Sequence, residues 1–157
     1  MSSFDPHRRD FLKTAGRTAG GAGAAALAIP ALATPEAMRA ALKTITGGAA
    51  PRHGRVRLQL PPLVENGNSV EFSVTVDSPM TETDYVKAIH VFAEKNPQPY
   101  VINAYLGPRA GRARVTTRMR LADSQTVHAV AEMSDGTFWS DSVSVVVTLS
   151  ACIGDLV

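Results

Sequence analysis

The sequence has a single cysteine, Cys152, so no disulfide within the chain is possible. It also lacks a glycine-rich phosphate loop, Cys/His pairs at metal-ligand spacing and a nucleophile elbow. Nothing in it therefore points to nucleotide, metal or hydrolase chemistry. Apolar runs are short as well. The best, from Thr14 to Ile29, is too rich in Gly and Ala to serve as the ~20 apolar residues that span a bilayer. A surplus of one charge is missing once the N-terminus is set aside. Sixteen Lys and Arg, less Arg8, Arg9, Lys13 and Arg17, leave twelve; fourteen Asp and Glu, less Asp5 and Asp10, also leave twelve. The basic pI is thus no argument for nucleic acid or an acidic membrane surface. At 157 residues the chain suits one domain with a core of its own.

Residues 1–33 read as an export signal, not as part of the fold. Arg8-Arg9-Asp10-Phe11-Leu12-Lys13 precedes the weakly apolar run, and Ala31-Leu32-Ala33 supplies small residues for cleavage. Consecutive arginines followed by Phe-Leu-Lys resemble a twin-arginine signal, which implies a periplasmic destination. That route exports folded chains, often with a cofactor or a partner subunit. With no cofactor motif in the sequence, a co-exported partner is the expectation.

Helix and linker occupy residues 34–53. Thr34-Pro35-Glu36 is a helix start, with a hydroxyl cap, proline in the first turn and an early acid. Met38, Ala41, Leu42 and Ile45 recur at helical spacing, and Gly47-Gly48 ends the pattern. The stripe could face its own domain, the ordinary arrangement, or another subunit. From 54 to 149 the period is two. Val56, Leu58 and Leu60 alternate with polar residues, as do Val70, Phe72, Val74 and Val76, with a turn expected at Glu65-Asn66-Gly67-Asn68. Strands follow at 85–93 and 100–106. The run 112–121 sets Ala113, Val115, Thr117, Met119 and Leu121 inward, and 125–133 does so with Val127, Ala129, Ala131 and Met133. After Ser134-Asp135-Gly136 comes a last strand with Val143, Val145, Val147 and Leu149 as its buried row. Seven strands of this kind predict an all-β, immunoglobulin-like antiparallel β-sandwich preceded by one short helix.

Few side chains invite a chemical role. His90 and His128 fall within strands, where a hydrogen-bonded structural histidine is the ordinary outcome. Asp77 and Asp84 flank Ser78-Pro79-Met80 and are expected to shape a turn. Arg109, Arg112, Arg114, Arg118 and Arg120 put five basic residues into twelve positions. They read either as a solvated sheet face that discourages edge pairing or as a docking surface. Cys152 stands apart, three residues beyond Leu149 in the tail 150–157. A structural cysteine usually sits inside an apolar row, whereas a thiol on an arm can visit other proteins. Eight extended residues would reach roughly 26 Å.

Several stretches carry a family resemblance: Glu65-Asn66-Gly67-Asn68, Val76-Asp77-Ser78-Pro79-Met80-Thr81, Ile89-His90-Val91-Phe92-Ala93-Glu94-Lys95-Asn96-Pro97, Leu106-Gly107-Pro108-Arg109-Ala110-Gly111 and Ala129-Val130-Ala131-Glu132-Met133-Ser134-Asp135-Gly136. Together they resemble the SoxY family over nearly the whole mature domain. The resemblance implies an immunoglobulin-like carrier subunit, not an enzyme, without a cofactor and paired with a SoxZ-like chain. It further implies that sulfur intermediates ride covalently on the cysteine of a Gly-Gly-Cys-Gly-Gly arm. A haem enzyme would join thiosulfate to that cysteine, and a dimanganese hydrolase would release sulfate. Here the arm reads Ser150-Ala151-Cys152-Ile153-Gly154, keeping the cysteine and only one of those glycines. A paralogue that binds the partner without carrying sulfur is the alternative expectation.

Overall fold

The computed structural model describes residues 34–151; the expected export signal, 1–33, and the expected arm residues Cys152, Ile153 and Gly154 lie outside the described residues. Among the described residues the helix α1 (Pro35–Thr46) comes first. The strands in chain order are β1 (Arg52–His53), β2 (Val56–Gln59), β3 (Leu63–Asn66), β4 (Val70–Val76), β5 (Val86–Ala93), β6 (Tyr100–Tyr105), β7 (Arg114–Met119), β8 (Gln125–Met133) and β9 (Phe138–Leu149).

The sequence signals at both ends of α1 act as expected. Thr34 accepts a hydrogen bond from the Ala37 amide, satisfying one of the donors a first turn leaves free, and Pro35 has no N–H to waste. Gly47 ends the helix in the left-handed conformation, φ 62°, which costs glycine nothing. Met38 and Ala41 bury their side chains against Phe92 and Val130, with Leu42, Ile45 and Phe138 packed alongside. The stripe therefore faces its own domain. Burying Phe92 fully is worth ~1.5–3 kcal/mol, which explains why a helix this short holds its place.

Two sheets form the sandwich beneath it. The smaller is antiparallel in the order β2-β4-β7; the larger runs β1-β9-β8-β5-β6, with β3 also paired to β9. Strict alternation drives this layering. Val56 and Leu58 from β2, Val70, Phe72, Val74 and Val76 from β4, and Met119 from β7 turn inward. They meet Ile89, Val91 and Ala93 of β5, Val127, Ala129, Ala131 and Met133 of β8, and Val145 and Val147 of β9. The mixed antiparallel sandwich is thus the expected class, and β8 spans the residues read from the sequence.

Four details differ from the sequence expectation. Strands β1 and β3 are additional, and both pair parallel to β9, through Arg52↔Trp139 and Val64↔Val147. Each is too short and too one-sidedly exposed to alternate visibly: β1 buries neither residue and β3 only Val64. The turn consequently falls after Asn66, between β3 and β4, and Asn66 and Gly67 do different jobs. Leu149 is 66% exposed, because at the mouth of the sandwich it has passed the core and faces only the tip of β3. Thr117 lies on the inner face, opposite Phe72, yet is exposed for a similar reason, because β7 is a free edge of the smaller sheet.

Polar residues pin the loops. Ser78, Thr81 and Asp84 tie the Ser78-Pro79-Met80 turn together, and Arg55 reaches Asp84 at 3.4 Å. Met80 adopts a positive φ of 52° with its side chain buried, so core contacts offset local backbone strain. Asp84 is therefore a turn residue, as expected, whereas Asp77 extends the β2–β4 pairing, its amide donating to the Arg55 carbonyl at 2.8 Å. In the Ser134-Asp135-Gly136 turn, the Thr137 amide and hydroxyl hold the Asp135 carboxyl below the usual range. Arg52 and Arg55 flank the Trp139 ring at 5.9 and 5.7 Å, fastening the chain's entry into the sandwich to β9.

Because the Thr34 hydroxyl caps the first turn of α1, Thr34→Ala is expected to cost ~1 kcal/mol. Urea unfolding followed through Trp139 fluorescence measures this; an unchanged midpoint would remove the cap's role.

Candidate functional site

Strand β9 leads to the expected carrier arm, and the structure describes the arm's first two residues. Ser150 is exposed, but Ala151 is only 8% exposed and its amide donates to the Leu121 carbonyl at 3.0 Å. Leu121, itself fully buried, donates its amide to Gly67 at 2.9 Å. Gly67 in turn donates to Leu149 at 2.7 Å. These three backbone bonds form a ring linking the β3–β4 turn, the segment after β7 and the end of β9. Such a junction needs close backbone approach. A Cβ built on Gly67 would collide with the Leu121 carbonyl oxygen and lie 2.9 Å from the Ala151 nitrogen. Glycine is the residue that fits.

The predicted docking arginines do not form one cluster. Arg112 and Arg114 line a groove at one end of the smaller sheet, where Arg57 of β2 joins them. Register explains the meeting: Arg57 pairs with Thr75, and Thr75 with Arg114, so the two guanidinium groups flank a hydroxyl on the outer face. Neither Arg57, Arg112 nor Arg114 has an ion-pair partner among the described residues. Arg118 lies toward the opposite end, 3.6 Å from Glu71 and hydrogen-bonded to Ser69. Both members of that pair are about two-thirds exposed, so it contributes little. Arg109 is exposed on a short turn of 3-10 helix, Pro108–Ala110. Arg120 is exposed beside the junction, next to Leu121, its carbonyl accepting from Asn96. Five residues of strand separate the groove from the junction end of β4 and β7, ~17 Å. The groove is thus a separate surface from the base of the arm.

The histidines have structural partners. His90 is 4% exposed; its Nδ1 meets the Asn103 side-chain oxygen at 2.7 Å, and its ring stands edge-on to Tyr105. Its Nε2 is buried without a partner. His128 meets Glu94 at 3.1 Å across the β5–β8 border. Burial alone would raise the Glu94 carboxyl, but hydrogen bonds from His128 and Thr126 outweigh it and hold the group below its ordinary value. No group of three potential metal ligands occurs among the described residues. No described helix is long and apolar enough to cross a membrane.

Sequence reasoning missed two contributors. Gly67 reads as an ordinary turn residue, and the Asn-Gly pair gives no hint of the chains crowding it. Arg57 lies on a different strand from the stripe it completes, and only sheet register brings it there.

The described residues thus form an immunoglobulin-like sandwich with the segment after its last strand fastened at one rim. The sequence matches the family model described as sulfur oxidation protein SoxY over residues 42–152, and the chain belongs to the SoxY family. Among solved structures it is similar to the sulfur carrier protein SoxY from Chlorobium limicola f thiosulfatophilum. That match has a TM-score of 0.60 at 23% identity, covering 74% of this chain and 100% of that one. A superoxide reductase (neelaredoxin) from Ignicoccus hospitalis shares the fold at a TM-score of 0.54 and 15% identity, covering 60% of this chain and 80% of its own. At such identities both likenesses speak to the fold alone. No curated protein matches in direct sequence comparison.

Since the folded Glu94 carboxyl titrates below its ordinary 4.5, its contribution to stability is present above that pH and lost as pH falls through the folded value. Urea midpoints should therefore drop below about pH 4.5, and Glu94→Gln should flatten that part of the profile. An identical acid limb in both proteins would exclude the His128–Glu94 pair as a cause.

Proposed function

We propose that the chain is a periplasmic carrier of sulfur intermediates in thiosulfate oxidation, exported by its twin-arginine-type signal and working as one subunit of a SoxYZ-like complex. Membership of the SoxY family carries the reading, and the position of Cys152 directly beyond a rigid β platform gives it a mechanism. In the first step the Cys152 thiolate and thiosulfate are joined through a sulfur–sulfur bond. Two electrons leave to a haem enzyme, and the product is a cysteine S-thiosulfonate. Water then cleaves the terminal sulfur–sulfur bond on a hydrolase, releasing sulfate and two protons and leaving a persulfide on Cys152. The platform itself supplies no redox group in either step. It presents the sulfur and is recognised by the enzymes that act.

A partner is part of this reading, and β6 is the place that suits one. Strand β6 closes one edge of the larger sheet and carries no charge in Tyr-Val-Ile-Asn-Ala-Tyr, although natural edges are usually guarded by charge. The other sheet shows the contrast. Its β7 edge bears Arg114 and Arg118, and its β2 edge bears Arg57. An uncharged edge with free backbone groups accepts an added strand, and a SoxZ-like chain of similar fold offers one. The Arg57–Arg112–Arg114 groove suits an acidic patch on one of the visiting enzymes.

Two measurements test the reading. Intact mass of the chain incubated with thiosulfate and the partner enzymes should show the added thiosulfate unit, and Cys152→Ser should show none. Without an adduct on Cys152 the carrier role fails, and a partner-binding paralogue remains. Tyr105 is 78% exposed on β6, so Tyr105→Lys should leave folding within about 0.5 kcal/mol of the parent yet strip the SoxZ-like chain during co-purification. Retention of the partner would move the interface elsewhere.

A further inference from the structure

We propose that the groove lined by Arg57, Arg112 and Arg114 is a binding site for a small divalent oxyanion of the sulfate class, held by guanidinium groups from both edges of the smaller sheet over the Thr75 hydroxyl. The biological sense of the site rests on the carrier reading above: the ion is then the sulfate released in the reaction, and it occupies donors that an acidic patch on a visiting enzyme would use. Register builds the place. Arg57 on β2, Thr75 on β4 and Arg114 on β7 form one row across the sheet. Neighbouring strands stand about 4.8 Å apart, so the two arginine backbones lie about 10 Å apart with a short side chain between them. Alternation turns all three outward and exposes them, while Val56, Val74 and Val76 fill the core beneath. The next outward row keeps the floor low, because Ser73 is only 7% exposed and donates to the Gln59 side chain at 2.8 Å. Long side chains on both edge strands thus wall a trough with a hydroxyl floor.

Charge sets this row apart from an ordinary solvated face. Like charges placed across a sheet repel, and an acid on the strand between them relieves the repulsion. Farther along the same face that remedy is present: Arg118 stands opposite Glu71 and pairs with it at 3.6 Å. Between Arg57 and Arg114 the central strand offers Thr75, a hydroxyl that donates where a carboxylate would cancel. The groove lining holds four arginines, Arg55 among them, and one acid, Asp77. Arg55 is committed elsewhere, to Asp84 at 3.4 Å and to the face of Trp139. Asp77 forms no ion pair among the described residues. Three guanidinium groups therefore face one carboxylate, an excess that a doubly charged anion answers. Guanidinium forks present paired N–H groups to paired oxygens, which suits a tetrahedral oxyanion and does not suit chloride. The groove encloses about 460 Å³, room for the ion with bridging water. It lies apart from the base of the arm, so an ion bound there acts on docking.

Titration of the full chain with sodium sulfate tests the site, followed by the amide and arginine side-chain NMR signals of Thr75, Arg57 and Arg114. Sodium chloride at matched ionic strength is the control. Sulfate should shift these signals to saturation, and chloride should not reproduce the shift. Arg57→Gln and Arg114→Gln should each weaken binding about tenfold, the loss of one charge-assisted contact. Arg118→Gln, on the same strand but paired with Glu71, should bind as the parent does. Each substitution is at an exposed position, and Trp139 fluorescence confirms folding; if one groove variant fails to fold, the other carries the test. Shifts that never saturate, that chloride matches, or that Arg118→Gln weakens as much as Arg114→Gln overturn the proposal. Repeating the titration on Cys152→Ser, which cannot carry sulfur, keeps the two readings separate. Saturable sulfate binding by a chain that never gains thiosulfate mass would sink the carrier reading and leave the oxyanion site standing; a chain that loads thiosulfate but does not bind sulfate would do the reverse.

Discussion

Strand β9 sets the constraint that organises the rest of the molecule. It is twelve residues long and offers backbone donors and acceptors along both of its sides. On one side β8 satisfies them over eight paired positions, from Gln125↔Val145 to Glu132↔Phe138. The other side would be an open edge, a liability in any sheet. The chain covers it with its own incoming segment, β1 beside Trp139 and Ser140, then β3 beside Val146, Val147 and Leu149. Between those contacts the chain crosses to the smaller sheet as β2 and returns. The two parallel pairings are therefore consequences of shielding β9. They also bring the β3–β4 turn to the point where β9 ends and the arm begins.

This geometry explains why the junction consists of backbone groups. At the end of β9 three segments converge, each with an amide or carbonyl left over from its own pairing. Side chains would hold them apart; a residue without a Cβ lets them meet. Ser124 adds to this fastening, since its hydroxyl accepts from the Val147 amide at 2.9 Å, two residues before Leu149. Helix α1 lies on the outer face of the larger sheet, over Phe92 and Val130, and leaves this rim uncovered.

How much of this was legible in the sequence follows from what each residue faces. Strands β4 and β8 declared themselves because every second residue is buried against the opposite sheet. Helix α1 did so because its cap, its proline and its terminal glycine are local signals with local causes. Strands β1 and β3 stayed silent, since what holds them is backbone pairing to β9, which leaves no pattern in side chains. The arginine stripe read as one surface because alternation places Arg112, Arg114, Arg118 and Arg120 on one face. Register and ion pairing then divided it, giving Arg118 to Glu71 and joining Arg114 to Arg57. Cys152 stood out as a residue type in an unusual place, but the fastening of Ala151 ahead of it depends on Leu121 and, through Leu121, on Gly67, which sequence spacing does not bring together.

That attachment alters the energetics proposed for carriage. Ordering a residue's backbone costs ~1–2 kcal/mol, and a partner that threads a free arm into its site must meet that cost for every residue it orders. Where Ser150 and Ala151 are already ordered by folding, the cost for those two falls on the platform and not on the encounter. The exchange is in reach: each residue that the fold orders is one fewer that can extend from the end of β9. An arm with glycines on both sides of its cysteine favours reach. Serine and alanine ahead of the cysteine favour presentation, and the buried methyl of Ala151 is the physical difference between the two.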